Sequence, residues 1–256
     1  MLRMMTDSKW LLLCCGVLVS SCAHQQTALK VPHAGSYEFV DLGYDRSVNP
    51  PLRIYRTHGK VIYSSFETFD PSFYSVYLTE HMEIRKGETV LDIGTGSGIQ
   101  AIHAADKASY ILATDISNSA LKDVEFNAKK HGVEKKIETR ISDLFDAIRA
   151  DEKFDVILVS IPYPQAVDDK FHWGLYERFF AHAEAHLKPN GRIYFLSGLL
   201  ENLPGVRELV IKHNLAIMNM DMVTDVRNER EMMVYRIEHI PEELKPRRPA
   251  QNLAGG

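Results

Sequence analysis

From Thr89 onwards the chain alternates strand-like and helix-like runs, and this alternation restricts the fold more than any other feature. "TVLDI" reads as a strand, "SGIQAIHAADK" as a helix and "YILATD" as a second strand. "SNSALKDVEFNAKKHG" follows as a helix, with Leu121, Val124 and Ala128 at helical spacing and Gly132 as its stop. "IETRIS" and "FDVILVS" are the third and fourth strands, "LYERFFAHAEAHLKPNG" is an amphipathic helix closed by a turn, and "RIYFLS" is the fifth strand. Strands separated by helices need crossover connections, so they predict a parallel sheet covered on both faces, an α/β fold. A helix near Pro204–His213 leads to "LAIMNMDMV" and "MMVYRIEHI", which flank a polar loop and read as a C-terminal antiparallel hairpin.

Upstream of this core, "LRIYRTHGKVIYSSF" predicts two short strands around His58-Gly59. "DPSFYSVYLTEHMEI" predicts a helix with Asp70 as N-cap and Pro71 at its first position. The expected organisation is a leader over 1–22, a tether over 23–35, a hairpin and helix over 36–88, the main domain over 89–240 and a loose tail over 241–256. The 256 residues suit one such domain with extensions. A net charge of -4 gives no dedicated nucleic-acid surface.

The leader carries Arg3 and Lys9 ahead of an apolar run, Trp10–Val19, that is too short to span a bilayer and suits a secretory signal. It ends Val19-Ser20-Ser21-Cys22, which resembles a bacterial lipobox with Cys22 as the lipidated residue. The expectation is a membrane-anchored lipoprotein on the periplasmic or extracellular side, or a cytoplasmic protein if the signal is not processed. All three cysteines, Cys14, Cys15 and Cys22, lie in this segment, so the body has no thiol for a disulfide, a nucleophile or a thiolate metal site.

"VLDIGTGSGIQAI" follows the first core strand and opens a helix. Its glycines allow a tight turn and close approach of a ligand to the backbone. Ligands of open parallel sheets sit at the carboxyl ends of the strands, near the point where strand order reverses. A dinucleotide cradle needs G-x-G-x-x-G, but Ile99 stands where its third glycine belongs.

Asp92-Ile93-Gly94-Thr95-Gly96-Ser97-Gly98 resembles motif I of class I S-adenosylmethionine-dependent methyltransferases. The resemblance runs from about Phe73 to Ile240 and implies a doubly wound, Rossmann-like, seven-stranded, mostly parallel sheet. It also implies S-adenosylmethionine as cofactor. The glycine loop would pass beneath the amino-acid part, and Asp92 would help hold its ammonium. Asp115, followed by Ile116, matches the acid that takes the ribose hydroxyls. Asp143, followed by Leu144, matches the residue that binds the adenine amino group.

Ser160-Ile161-Pro162-Tyr163 ends the fourth core strand and resembles the Asn-Pro-Pro-Tyr motif of glutamine-amide and ribosomal-guanine N-methyltransferases. There a side-chain oxygen and a backbone carbonyl hold the target nitrogen while the aromatic ring packs on a planar acceptor. The resemblance implies Ser160, Pro162 and Tyr163 as catalytic groups, with Ser160 also beside the cofactor. Ser160 and Ile161 depart from the motif, and a proline stop after a buried strand gives the same pattern. The loop "QAVDDKFHWGLYERFF" brings Asp168, Asp169, Phe171, His172 and Trp173 beside this corner, as a lid or as packing. His182 and His186 lie four apart but lack the metalloprotease pattern and a third ligand, so no metal site is expected. The expected activity is N-methylation of a protein side chain or a small molecule. The alternative is an exported, non-catalytic binding module on the same fold.

Overall fold

The computed structural model describes residues 38–225 and 230–241. The segments expected to be a signal with a lipobox and a tether, and the tail beyond Pro241, lie outside the described residues. The main sheet has seven strands: β4 (Thr89–Ile93), β5 (Tyr110–Asp115), β6 (Ile137–Ile141), β7 (Phe154–Val159), β8 (Leu187–Gly198), β9 (Leu215–Asp225) and β10 (Arg230–His239). They lie in the order β6-β5-β4-β7-β8-β10-β9. The first five are mutually parallel, while β10 pairs antiparallel with both β8 and β9. This is the expected α/β, Rossmann-like, mostly parallel sheet with a C-terminal antiparallel hairpin.

The central strands are apolar on both faces because both faces are covered. Leu91, Ile157 and Phe195 face α4 (Lys170–Ala183) and α5 (Leu203–Lys212) in a core rich in Phe145, Tyr176, Phe179 and Phe180. Val90, Val156 and Leu158 face the other layer, in a core with Tyr77, Leu78, Ala101, Ala104 and Val124. Those residues come from α1 (Phe73–His81), α2 (Ile99–Ala104) and α3 (Asn118–His131). β4 has β5 on one side and β7 on the other, so strand order reverses between β4 and β7. The carboxyl ends of those two strands open into the candidate site.

The hairpin around His58-Gly59 forms as expected, with β2 (Leu52–Thr57) and β3 (Lys60–Ser64) joined where both residues take positive φ, 45° and 72°. A further strand, β1 (Phe39–Asp45), pairs with β2 and completes a three-stranded antiparallel sheet. Its polar alternation is broken by Gly43, where the register slips, which hid it from pattern reading. Side chains of α3 hold this small sheet. Asn127 accepts from the Tyr63 N–H (2.9 Å) and donates to the Tyr63 carbonyl (2.8 Å) and the Ser97 carbonyl (2.8 Å). Asp123 accepts from the Ser65 N–H and hydroxyl, and His131 Nε2 meets the Val61 carbonyl.

Three local expectations are corrected. α1 is capped by Ser72, in a reciprocal capping box with Ser75, and not by Asp70. Asp70 instead pairs with Arg53 of β2, so its carboxylate is taken by the small sheet. α4 starts at Lys170, capped by Asp169, so Phe171, His172 and Trp173 are helical and only the residues before them form the loop. Lys188–Gly191 do not close a helix but bulge inside β8, where Phe154 pairs with Leu187 and Val156 with Arg192.

Asn127 is fully buried, and its removal leaves buried backbone groups unpaired. Asn127→Ala is expected to lower unfolding stability by about 2–4 kcal/mol in urea titrations. Lys122→Ala, on the exposed face of the same helix, should stay within about 0.5 kcal/mol of the parent.

Candidate active site

After β4 the chain turns through Gly94, Gly96 and Gly98, all at positive φ (70°, 54° and 83°). The N–H groups of Gly94 and Thr95 donate to the Thr114 carbonyl (2.9 and 3.0 Å), folding the loop onto the end of β5. Gly94 is obligatory for a second reason: a Cβ there would lie 2.5 Å from the Ser160 carbonyl oxygen and 3.2 Å from the Ile161 side chain. Gly98 has Val124 of α3 at 3.0 Å from the same notional atom, so the loop is pressed between α3 and the exit of β7.

Asp92 sits beneath this loop with no exposure. Its Oδ2 accepts from the Thr95 hydroxyl (2.7 Å), and its Oδ1 has no hydrogen-bond partner among the described residues. Burial pushes its carboxyl up to about 7; the Thr95 hydroxyl and, less, the Ala101 N–H oppose the shift, and the charge of Asp115 adds to it. A buried carboxyl with one unpaired oxygen is a costly arrangement unless a donor or a cation comes to it.

Asp115 ends β5 at the rim. Its Oδ2 accepts from the Gly96 N–H (3.0 Å) and its Oδ1 from the Ser117 N–H (2.9 Å), so the carboxylate is fixed by backbone on both sides. Ile116 beside it is 73% exposed, an apolar surface at the mouth of the cleft. The Ser142 N–H donates to the Asp115 carbonyl and thereby joins the β6 exit to the same rim. Asp143 is exposed and its Oδ2 pairs with Arg178 of α4 at 3.0 Å. Leu144 takes φ 51° but buries its side chain in the core, and its carbonyl accepts from the Ser142 hydroxyl (2.9 Å), so only its N–H is left to line the site.

The Ser160 N–H donates to the Ile93 carbonyl (3.1 Å), which fixes the acceptor-like corner against β4. The Ser160 hydroxyl makes no hydrogen bond among the described residues. Pro162 is exposed, whereas Tyr163 is half-buried and packs against both core layers. Its ring lies so close to Gly198 that a Cβ there would be 2.2 Å away. Trp173 similarly occupies the space over Gly205 of α5. His172 is held by Asp169 at 2.7 Å, which leaves Phe171, 76% exposed, as the open aromatic of that segment.

One hydrogen-bonded and packed unit therefore joins Asp92, Gly94, Thr95, Gly96, Gly98, Asp115 and Ser160, while Asp143 and Leu144 stand one strand further out. His186 is buried against Phe145 with Nδ1 on the Glu152 carbonyl, and His182 is exposed with its ring 6.3 Å from the same Phe145. Sequence reasoning missed Phe69, whose carbonyl lies 3.8 Å from a notional Gly96 Cβ, and Asn202, which holds Pro164. Neither sits in a spaced motif. The one hint was a cluster of aromatics and small polar residues just before α1.

A family model described as "Methyltransferase small domain" matches residues 48–209. A ribosomal protein L11 methyltransferase of Caldicellulosiruptor bescii is 49% identical over 80 residues, 30% of this chain and 25% of the relative. A putative protein N5-glutamine methyltransferase of Methanocaldococcus jannaschii is 32% identical over 161 residues, 57% of this chain and 78% of the relative. The chain thus spans about a quarter of the first relative and over three quarters of the second. The solved ribosomal protein L11 methylase of Lactobacillus delbrueckii subsp. bulgaricus shares the fold, with a TM-score of 0.53 and 24% identity over 67% of this chain and 82% of that one.

The raised Asp92 carboxyl has a signed consequence. Its folded-state value, about 7, lies above the ordinary 3.8, so the folded chain holds a proton that the unfolded chain releases. This group therefore takes stability away as pH rises from about 4 to about 7. The stability of Asp92→Asn relative to the parent should grow across that window and level off above it, read by urea titration at several pH values.

Proposed function

The chain belongs to the methyltransferase small domain family, and we propose that it transfers the methyl group of S-adenosylmethionine to a side-chain nitrogen of a protein. One observation carries this reading: the Ser160 carbonyl stands against the backbone of Gly94, so acceptor corner and cofactor loop are in contact. The residues present fit the cofactor. The unpaired, buried Asp92 Oδ1 suits a cationic ammonium nearby, and the side-chain-free loop at Gly94–Gly98 admits a ligand against backbone. Asp115, already aligned by two N–H groups, offers its remaining lone pairs to paired hydroxyls. Ile116 offers an apolar face, and Asp143 with the Leu144 N–H offers polar groups for the adenine edge. Bound there, the cofactor's sulfonium supplies an electrophilic methyl group.

The chain's own part is positioning. The Ser160 hydroxyl and the corner carbonyls accept N–H bonds from the acceptor, which turns the nitrogen lone pair towards the glycine loop. Fixing that geometry is worth several orders of magnitude in rate without a strong base. A protein acceptor is supported by the relative named a protein N5-glutamine methyltransferase, which this chain matches over most of its length. A second reading, a non-catalytic binding module, is favoured by the Ser160 and Ile161 departures. It predicts cofactor binding without transfer.

The leader supports a further part of the proposal, that Cys22 is lipidated and the domain anchored at a membrane surface. Among the described residues no helix is long and apolar enough to cross a membrane.

Calorimetry of S-adenosylmethionine is expected to give micromolar binding, with Asp115→Asn, which keeps one acceptor oxygen, weaker by about 10–100-fold, the worth of one charge-assisted hydrogen bond. Tritium transfer from labelled cofactor into a peptide pool fixed for glutamine should then separate the two readings. Equal cofactor affinity in Asp115→Asn and the parent would remove the site assignment. Labelled palmitate should enter the full chain expressed in a bacterium and fail to enter Cys22→Ala.

A further inference from the structure

At the carboxyl end of β8 the chain does something no motif requires. β8 stops at Gly198, and Leu199 takes φ 60° and ψ 117°, a conformation costly for any residue with a side chain. The turn is held by the Leu199 N–H, which donates to the Glu231 carbonyl, and by the Asn202 N–H, which donates to the Leu199 carbonyl. The outcome is a single 3-10 turn, Leu200–Asn202, that drives the Asn202 side chain back under the sheet end, 1% exposed.

There the Asn202 amide donates both its protons, one to the Pro164 carbonyl (2.8 Å) and one to the Gly198 carbonyl (3.0 Å). Pro164 is the exit of the acceptor corner, and Gly198 is the residue on which the Tyr163 ring lies. We propose that Asn202 is the positioning residue of the acceptor site, tying the Ser160–Pro164 corner to the end of β8 and so fixing the corner's height above the glycine loop. The inference rests on the reading of this corner as the acceptor site.

The chemistry favours this role over simple filling of space. Two carbonyl oxygens call for donors, and a primary amide supplies both from one nitrogen; the Gly198 carbonyl has besides only the longer bond from the Ser197 hydroxyl (3.3 Å). The corner itself is poor in backbone donors, since Pro162 and Pro164 have none. Its entrance is fixed by the Ser160 N–H on Ile93, and its exit is fixed by Asn202. Ile161, where the resembled motif has a proline, leaves the segment between with more freedom, so the exit clamp bears more of the positioning. Gly198 completes the arrangement, because any side chain there would meet the Tyr163 ring at 2.2–2.6 Å and push it towards the acceptor.

The test uses Asn202→Asp, which keeps the shape and removes the two donors. Hydrogen exchange at Ser160 and Gln165, whose N–H groups bond the Ile93 carbonyl and the Asp169 carboxylate at the two ends of the corner, should speed up about tenfold, with β4 amides unchanged. Cofactor affinity by calorimetry should stay within about twofold. With the glutamine peptide pool as acceptor, kcat should fall about 10–100-fold at pH 8 with little change in KM, the size expected for an ångström-scale misplacement. A carboxyl facing two carbonyls takes up a proton readily and then regains one donor. The variant-to-parent ratio of kcat should therefore recover as pH falls towards 5, a profile that loss of packing alone would not give. Unchanged corner exchange, or a flat ratio with full activity, would overturn the proposal. If the parent methylates no peptide, the acceptor reading fails, and the exchange comparison still decides whether the clamp exists.

Discussion

The close approach of two backbones governs this molecule. Where β4 and β7 leave the sheet, the Gly94 position and the Ser160 carbonyl come so near that no Cβ fits between them. A parallel sheet brings adjacent strand ends together by construction, but the loops after them normally diverge into opposite helical layers. Here the first loop must fold back onto β5 to keep clear of the corner, which is what the bonds from Gly94 and Thr95 to the Thr114 carbonyl accomplish. The same fold-back brings the Gly96 N–H to Asp115 and roofs Asp92. One steric constraint therefore arranges both acids and the corner.

Electrostatics follow from that arrangement. Roofing Asp92 removes it from water, and only one of its oxygens is repaid by the Thr95 hydroxyl. Such a group is kept near neutrality until something positive arrives, and its ionisation is then part of the binding free energy. Asp115 is different: backbone N–H groups hold it from both sides at the rim, so its lone pairs are aimed before any ligand comes. Two carboxylates 23 positions apart in the chain thus have distinct characters because one lies under the loop and one beside it.

Much of this was legible in the sequence because it rests on periodicity and on glycine. The alternation from Thr89 predicts the parallel sheet, and the run from Asp92 to Gly98 predicts where the chain must turn. What escaped has a common cause. β1 is an edge strand whose alternation is broken at Gly43, and Asp70 resembles a cap until Arg53, 17 residues earlier, takes its carboxylate. Asn202 gains its partners Pro164 and Gly198 only after β8 is laid beside β7. Single polar residues whose partners are distant leave no spacing to read. Trp173 shows the same limit in reverse: as sequence it suggests a lid or packing, and only the fold shows it filling the place left by the distant Gly205.

The three bonds of Asn127 carry a mechanical implication. That amide grips β3 at Tyr63 and the glycine loop at Ser97, so a pull on β3 would reach the loop directly. β1 lies at the far edge of the small sheet from β3, and among the described residues its strand pairing is with β2 only. Phe39 of β1 also packs on the buried cluster of Ile62, Val76, Ile99, Ile102 and Ala128, while its backbone bonds go to β2 and none to β3. Unpairing β1 from β2 would therefore leave both ends of the Asn127 link, Tyr63 and Ser97, where they are.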